Sequence, residues 1–132
     1  MARTTLSIRT RCETCLEEIT ASVQQAVRES GVREGQCLVY VPHTTAGLLV
    51  NENADPSVAD DLVAALERLV PRRGPYSHAE GNSAAHICAS LVGTSQSFVV
   101  AEGQLLLGTW QGIYLAEFDG PRQRRVIVSV QG

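Results

Sequence analysis

Residues 95–130 read SQSFVVAEGQLLLGTWQGIYLAEFDGPRQRRVIVSV. Four segments in it, Ser97 to Ala101, Gln104 to Leu107, Ile113 to Phe118 and Arg124 to Val130, are apolar and β-branched in the manner of strands. Glu102-Gly103 and Asp119-Gly120 are turn dipeptides that let a chain double back. Taken in order, these segments predict successive antiparallel strands. Val126, Val128 and Val130, with Ile113 and Leu115, make apolar faces large enough to be buried partly against other subunits.

Working upstream, Thr4 to Arg9 alternates at period two and predicts a half-buried strand. Thr14-Cys15-Leu16-Glu17 matches a capping box, and Leu16, Ile19, Val23 and Val27 recur at helical spacing, which predicts a helix over 15–30. Gln36 to Val41 and Ala46 to Val50 read as two short strands around the polar corner Pro42-His43-Thr44-Thr45. Asp55-Pro56 is an N-cap followed by proline at the first helical position, and Val58, Leu62, Leu66 and Leu69 form one stripe up to Pro71. Residues 72–81 lack periodicity and predict a loop, whereas Ser83 to Val92 predicts a third helix with Ile87 and Leu91 inward. Together these give one α+β domain over residues 1–132, a mainly antiparallel sheet with about three helices packed on one face.

A length of 132 residues supports one domain, and 44% hydrophobic with 19% charged is an ordinary globular composition. Eleven basic against 14 acidic residues leave a net charge of −3, and six aromatics offer little to stack bases on, so nucleic acid is not an expected partner. All the basic residues are arginine, which excludes Schiff-base and P-loop lysine chemistry. No apolar run is long enough to cross a bilayer and none follows the charges of Met1 to Arg11, so no membrane partner and a cytoplasmic location are expected. Cys12, Cys15, Cys37 and Cys88 then read as reduced, structural thiols. Cys12-x-x-Cys15 lacks both the setting of a redox turn and a second zinc pair.

Three histidines carry the chemical interest: His43 at a strand end, His78 in the loop and His86 on the third helix. Three neutral imidazoles with an open fourth position would make a catalytic site of the zinc type, but spacing alone equally describes three independent surface histidines. Glu52, Asp55 and Glu80 lie near these segments and are candidates to orient an imidazole, act as base or hold Mg²⁺, with capping the first role of Asp55. Trp110, between Gly108 and Gly112, is either a binding wall or a packing anchor. Arg122, Arg124 and Arg125 are either a phosphate grip or a solvated edge, with Arg122 and Arg124 on one side and Arg125 on the other.

Several ordered blocks then point one way: His43-Thr44-Thr45-Ala46-Gly47, Asn51-Glu52-Asn53-Ala54-Asp55-Pro56, Tyr76-Ser77-His78, Ala85-His86-Ile87, Leu107 to Ile113 with Trp110-Gln111 at its centre, and Glu117-Phe118-Asp119-Gly120-Pro121-Arg122. Across nearly its whole length the chain resembles the YjbQ-like proteins, also called the secondary thiamine-phosphate synthase family. The resemblance implies a small α+β subunit in a homotrimer, with His43, His78 and His86 grouped as a metal site. It also implies that Glu52, Asn53, Asp55, Trp110 and Gln111 are functional positions. Many members carry an Asp-rich stretch before the last histidine, which Asn82-Ser83-Ala84-Ala85 here does not.

The activity implied joins a pyrimidine pyrophosphate to a thiazole phosphate and releases pyrophosphate. Glu52 and Glu80 would be its catalytic carboxylates, and Arg122, Arg125 and the amides of Ala84 and Ala85 its phosphate grips. A histidine set favours a zinc-like ion, and the synthase reaction takes Mg²⁺, with Glu52 and Asp55 as candidate ligands. Two other readings use the same residues: a metal-dependent hydrolase of a phosphorylated small molecule, and a non-catalytic trimer that binds a metal or small ligand.

Overall fold

A computed structural model describes residues 2–132. Strand β1 (Ala2–Arg9) is followed by β2 (Cys15–Glu18), helix α1 (Thr20–Ser30), β3 (Gly35–Tyr40) and β4 (Ala46–Glu52). Helices α2 (Pro56–Leu69) and α3 (Ser83–Val92) precede β5 (Ser95–Ala101), β6 (Gln104–Leu105), β7 (Gln111–Glu117) and β8 (Gln123–Gln131). The α+β class and the three helices follow the sequence pattern, but the strands divide between two sheets. One has the order β1-β8-β3-β5-β6 and the other β2-β7-β4, and every pairing is antiparallel. The expected meander therefore breaks after β6, because β7 and β8 enter different sheets.

The three-stranded sheet is a middle layer. Its register pairs Leu48 with Leu115 and Val50 with Ile113 on one face, and Gly47 with Ala116 on the other. Leu48, Ile113 and Leu115 join Val39, Val126, Val128 and Val130 of the larger sheet and Val23 and Val27 of α1 in the main core. Ala116 and Phe118 join Ala85, Cys88 and Ala89 of α3 in a second core. The apolar faces of β7 and β8 are thus buried within the chain rather than against a neighbour. Each fully buried large aliphatic side chain contributes about 1.5–3 kcal/mol, and these valines and leucines supply most of the main core.

Three local expectations give way. Cys15 to Glu18 forms a strand beside β7 instead of opening a helix: Leu16 pairs with Ala116 and packs on the second core, while Glu17 accepts from the backbone N–H of Arg11 at 3.0 Å. Closing an open sheet edge outweighs a local capping preference, so α1 begins after Ile19 without a side-chain cap. In α3 the inward residues are Ala84, Ala85, Cys88 and Ala89, whereas Ile87 is exposed and Leu91 is 64% exposed. Small residues win that face because α3 lies close on β4: a Cβ on Gly47 would meet the Gly93 carbonyl oxygen at 2.6 Å. Helix α2 is capped as expected, with Asp55 Oδ1 accepting from the N–H of Ser57 at 3.0 Å, but none of its residues is fully buried and Leu69 is 74% exposed.

Candidate functional site

Strands β7 and β8 end beside one another, and their inward phase carries two charges. Glu117 continues the inward row of Ile113 and Leu115, and Arg124 that of Val126, with exposures of 0% and 4%. Arg124 Nε donates to Glu117 Oε1 at 2.8 Å, and Nη2 donates to Glu117 Oε2 and to Thr45 Oγ1 at 2.9 Å. Thr10 Oγ1 donates to the same carboxylate at 2.8 Å and the Asp119 N–H at 3.0 Å. Burial would raise the Glu117 carboxyl, but the bonds from Arg124, Asp119 and Thr10 overcome it and hold the pKa below its ordinary value. A buried pair so fully bonded tolerates its loss of hydration. Arg124 Nη1 alone has no hydrogen-bond partner among the described residues.

Over this pair opens a cleft of about 460 Å³ lined by His43, Thr44, Thr45, His78, Glu80, Asn82, His86, Asp119, Arg122 and Arg124, with Pro42 at its margin. His43, on the segment entering β4, accepts at Nε2 from the backbone N–H of Arg125 at 3.0 Å. The neutral ring therefore carries its proton on Nδ1. Burial, then the charges of Arg124 and Arg125, lowers the His43 pKa. His78 and His86 come from the loop and from α3 and meet edge to face, ring centroids 5.3 Å apart, with Glu80 Oε1 3.9 Å from His78 Nε2. Asn82 Nδ2 donates to Asp119 Oδ2 at 2.9 Å, and Arg122 Nη2 donates to that oxygen at 3.0 Å.

Six of the sequence candidates thus share one cleft: His43, His78, His86, Glu80, Arg122 and Arg124. The others stand elsewhere. The β4–β7 ladder pairs Ala46 with Glu117 at the cleft end and Glu52 with Gln111 at the far end, and six steps of strand separate the ends by about 20 Å. Asn53 belongs to that far end, where its N–H donates to the Trp110 carbonyl at 3.0 Å and its Nδ2 to Glu18 Oε2 at 2.8 Å. Gly112 is glycine because a Cβ there would lie 2.6 Å from that of Asn53. Trp110 is 63% exposed, Gln111 Oε1 accepts from the Gly108 N–H, and Asp55 caps α2. The side chain of Arg125 is exposed, outside the cleft lining. The amide of Ala85, expected to be free for phosphate, donates to the Asn82 carbonyl at 3.1 Å.

Glu117, Asn82, Asp119 and Thr45 were given no site role from sequence, although Thr45, Glu117 and Asp119 stand in the blocks that carry the family resemblance. A signal existed for the first: a carboxylate and an arginine each occupy the inward phase of a strand otherwise filled with valine, isoleucine and leucine. Charges at such positions must be paired.

Two imidazoles sharing one tetrahedral ion, with metal–nitrogen bonds of about 2.0–2.1 Å, place their ring centroids about 5 Å apart. His78 and His86 have that separation. His43 does not complete the set as it stands, because its Nε2 lone pair is engaged by Arg125. Among the described residues no three His, Cys, Asp or Glu side chains are grouped to hold an ion. The His78–His86 separation is equally that of an ordinary edge-to-face ring pair, so the described side chains as they stand form no metal centre.

The family model described as UPF0047 protein YjbQ-like matches residues 4–132. The UPF0047 protein MJ1081 of Methanocaldococcus jannaschii is 52% identical over 117 residues, 89% of this chain and 85% of that protein. YugU of Bacillus subtilis is 45% identical over 129 residues, 97% of this chain and 98% of its own. Among solved structures, an uncharacterised YjbQ/UPF0047 protein of Clostridium acetobutylicum superposes with a TM-score of 0.95 at 50% identity, covering 97% of this chain and 99% of that one. A protein of unknown function from Sulfolobus solfataricus gives 0.96 at 33% identity, covering 99% and 96%. With the family model spanning almost the whole chain and relatives this similar along their full lengths, the chain belongs to the UPF0047 YjbQ-like family.

Proposed function

We propose that the histidine cleft binds a phosphorylated small molecule and catalyses transfer at its phosphate-bearing end. The observation that carries this reading is convergence: three histidines from three separate segments line one cleft with Arg122 and with Arg124, whose Nη1 is free. Arg124 and Arg122 grip the phosphate oxygens, and the buried Glu117 holds the Arg124 fork in place. His43, kept neutral, donates from Nδ1 without adding a further positive charge to those of the two arginines. His78, beside Glu80, and His86 exchange protons with the leaving group.

The specific reaction assigned for test is the one the resemblance implies, joining a pyrimidine pyrophosphate to a thiazole phosphate with release of pyrophosphate. Mg²⁺ for it would be held by Glu80 and Asp119, the cleft's carboxylates, rather than by Glu52 and Asp55 at the far end. The assembly proposed is a homotrimer. Leu38 and Tyr40, each 42% exposed on the outer face of the larger sheet, support a surface that a neighbouring subunit covers.

The proximity of His78, His86 and Glu80 supports one second reading, a metal-dependent phosphate hydrolase. An ion held there would supply a water of lowered pKa, with Glu80 placed to accept its proton. Incubating the protein with both synthase substrates and Mg²⁺, and separately with phosphate monoesters and Zn²⁺, distinguishes the two. Thiamine phosphate formed only with both substrates supports the synthase, and inorganic phosphate released without an acceptor supports the hydrolase. Turnover unchanged by His86→Ala would refute both assignments.

A further inference from the structure

Burial divides the four cysteines. Cys37 and Cys88 sit in the two cores, and burial pushes the Cys37 thiol up to about 11. Cys12 lies exposed in the bend between β1 and β2, and Cys15, half-buried, opens β2. The bend turns both thiols into one small space: Cys12 Sγ is 3.6 Å from the Thr14 carbonyl oxygen, and Cys15 Sγ is 3.7 Å from that of Cys12. Burial, and then the Cys12 thiol beside it, raises the Cys15 pKa, so Cys15 stays protonated while Cys12 faces solvent.

This bend also touches the histidine cleft. The Gly120 N–H donates to the Glu13 carbonyl at 3.0 Å, and a Cβ on Gly120 would clash with the Cys12 carbonyl oxygen. The Thr10 N–H donates to the Arg122 carbonyl at 2.9 Å, and the Arg122 N–H donates back to Thr10 Oγ1 at 2.8 Å. Glu13 pairs with Arg72, at the start of the loop that carries His78.

We infer that Cys12 and Cys15 form a reversible disulfide by exchange with a small-molecule disulfide such as that of glutathione, and that its state is felt at the Asp119 to Arg122 turn of the cleft. The inference does not depend on the phosphate reading. The exposed Cys12 thiolate attacks one sulfur of glutathione disulfide, forming a mixed disulfide and releasing one glutathione thiolate. Cys15 then attacks the Cys12 sulfur, and the second glutathione leaves as thiolate. The Cys15 proton departs by way of Glu17, whose Oε2 is 3.8 Å from Cys15 Sγ. Two protein thiols are thus oxidised to one disulfide, and one glutathione disulfide is reduced to two thiols. An exposed disulfide of this kind is open to reduction by the same thiol pool.

The test equilibrates the folded protein with oxidised and then reduced glutathione, alkylates the remaining thiols and maps the peptides by mass spectrometry. The expected product is two hydrogens lighter, with Cys12 joined to Cys15, Cys37 and Cys88 still thiols, and full return on reduction. Cys15→Ser should stop at the mixed disulfide, one glutathione heavier at Cys12, and Cys12→Ser should not react. Wild type that stays reduced in excess oxidised glutathione, or that stops at the mixed disulfide, would overturn the disulfide site without need of either variant. In ¹H–¹⁵N spectra of the two states, the Gly120 and Arg122 amide signals should move. A disulfide that leaves both signals in place would overturn the link to the cleft.

Discussion

The Nε2 of His43 and the backbone N–H of Arg125 are 3.0 Å apart, so a ring on the segment entering β4 is tied to a strand of the other sheet. The bond fixes the tautomer of the ring, and the arginines around it oppose a positive charge there.

The His43 ring should therefore titrate below the ordinary imidazole value of 6.5. Between the lowered folded pKa and that ordinary value the unfolded chain binds more protons at this residue, so stability rises with pH across the window and falls on acidification through it. NMR titration of the ring, with unfolding free energies measured across that range, checks both statements. A ring titrating at or above 6.5 would contradict the first, and an unchanged pH slope in His43→Asn the second.

Glu117 and Arg124 stabilise the cleft floor only as a pair. Glu117→Leu or Arg124→Met alone strands a buried charge and should cost about 3–5 kcal/mol, whereas the double change should cost much less than the sum. Because the folded Glu117 pKa is lowered, its contribution is present above the ordinary carboxylate range and is lost as pH falls through the folded value. Denaturant titration of the three variants at neutral pH and at low pH measures the coupling, and additive costs would show that the pair is not coupled.

Gly47→Ala should destabilise by about 1–3 kcal/mol. The added Cβ would meet the Gly93 carbonyl oxygen at 2.6 Å, and that oxygen already accepts from the Leu48 N–H at 2.9 Å, so α3 has to shift off β4. A wild-type melting temperature would show that the helix has slack at this contact.

Asp55→Ala should fray the start of α2 and lower thermal stability. The Ser57 bonds hold the Asp55 pKa below its usual value, so this cap acts above the ordinary Asp range and weakens as pH falls through the lowered value. Phosphate binding in the cleft should be untouched, since Asp55 lies toward the other end of β4. Loss of binding in a folded variant would place Asp55 in the working site after all.

How much of this was legible in the sequence depends on whether the signal was local. The Asp55-Pro56 start of α2, the 83–92 span of α3 and the Glu102-Gly103 turn depend on neighbouring residues and were found where expected. The strand at Cys15 to Glu18 was missed because its cause is the open edge of β7, a hundred residues away. The division of β7 and β8 between two sheets had a mark that was not read: β7 is a continuous apolar run, buried on both faces as a middle-layer strand, whereas β8 alternates. At the site, residue type found the histidines but not their convergence, which depends on β4, α3 and the 78–82 loop meeting over Glu117. The Glu52 to Asp55 block is near His43 in sequence yet, with Trp110-Gln111 beside it, is separated from the histidines by the length of a strand.

The chain contains three histidines and all three line the cleft, so their ring signals report on nothing else. The most direct measurement is a ¹H–¹³C NMR titration of those rings with a simple phosphate monoester such as glycerol phosphate. All three signals should move along one binding curve, and His86→Ala should weaken binding for the other two. Rings that stay still while the ester binds elsewhere, or an ester that does not bind at all, would contradict the assignment of this cleft as the phosphate site.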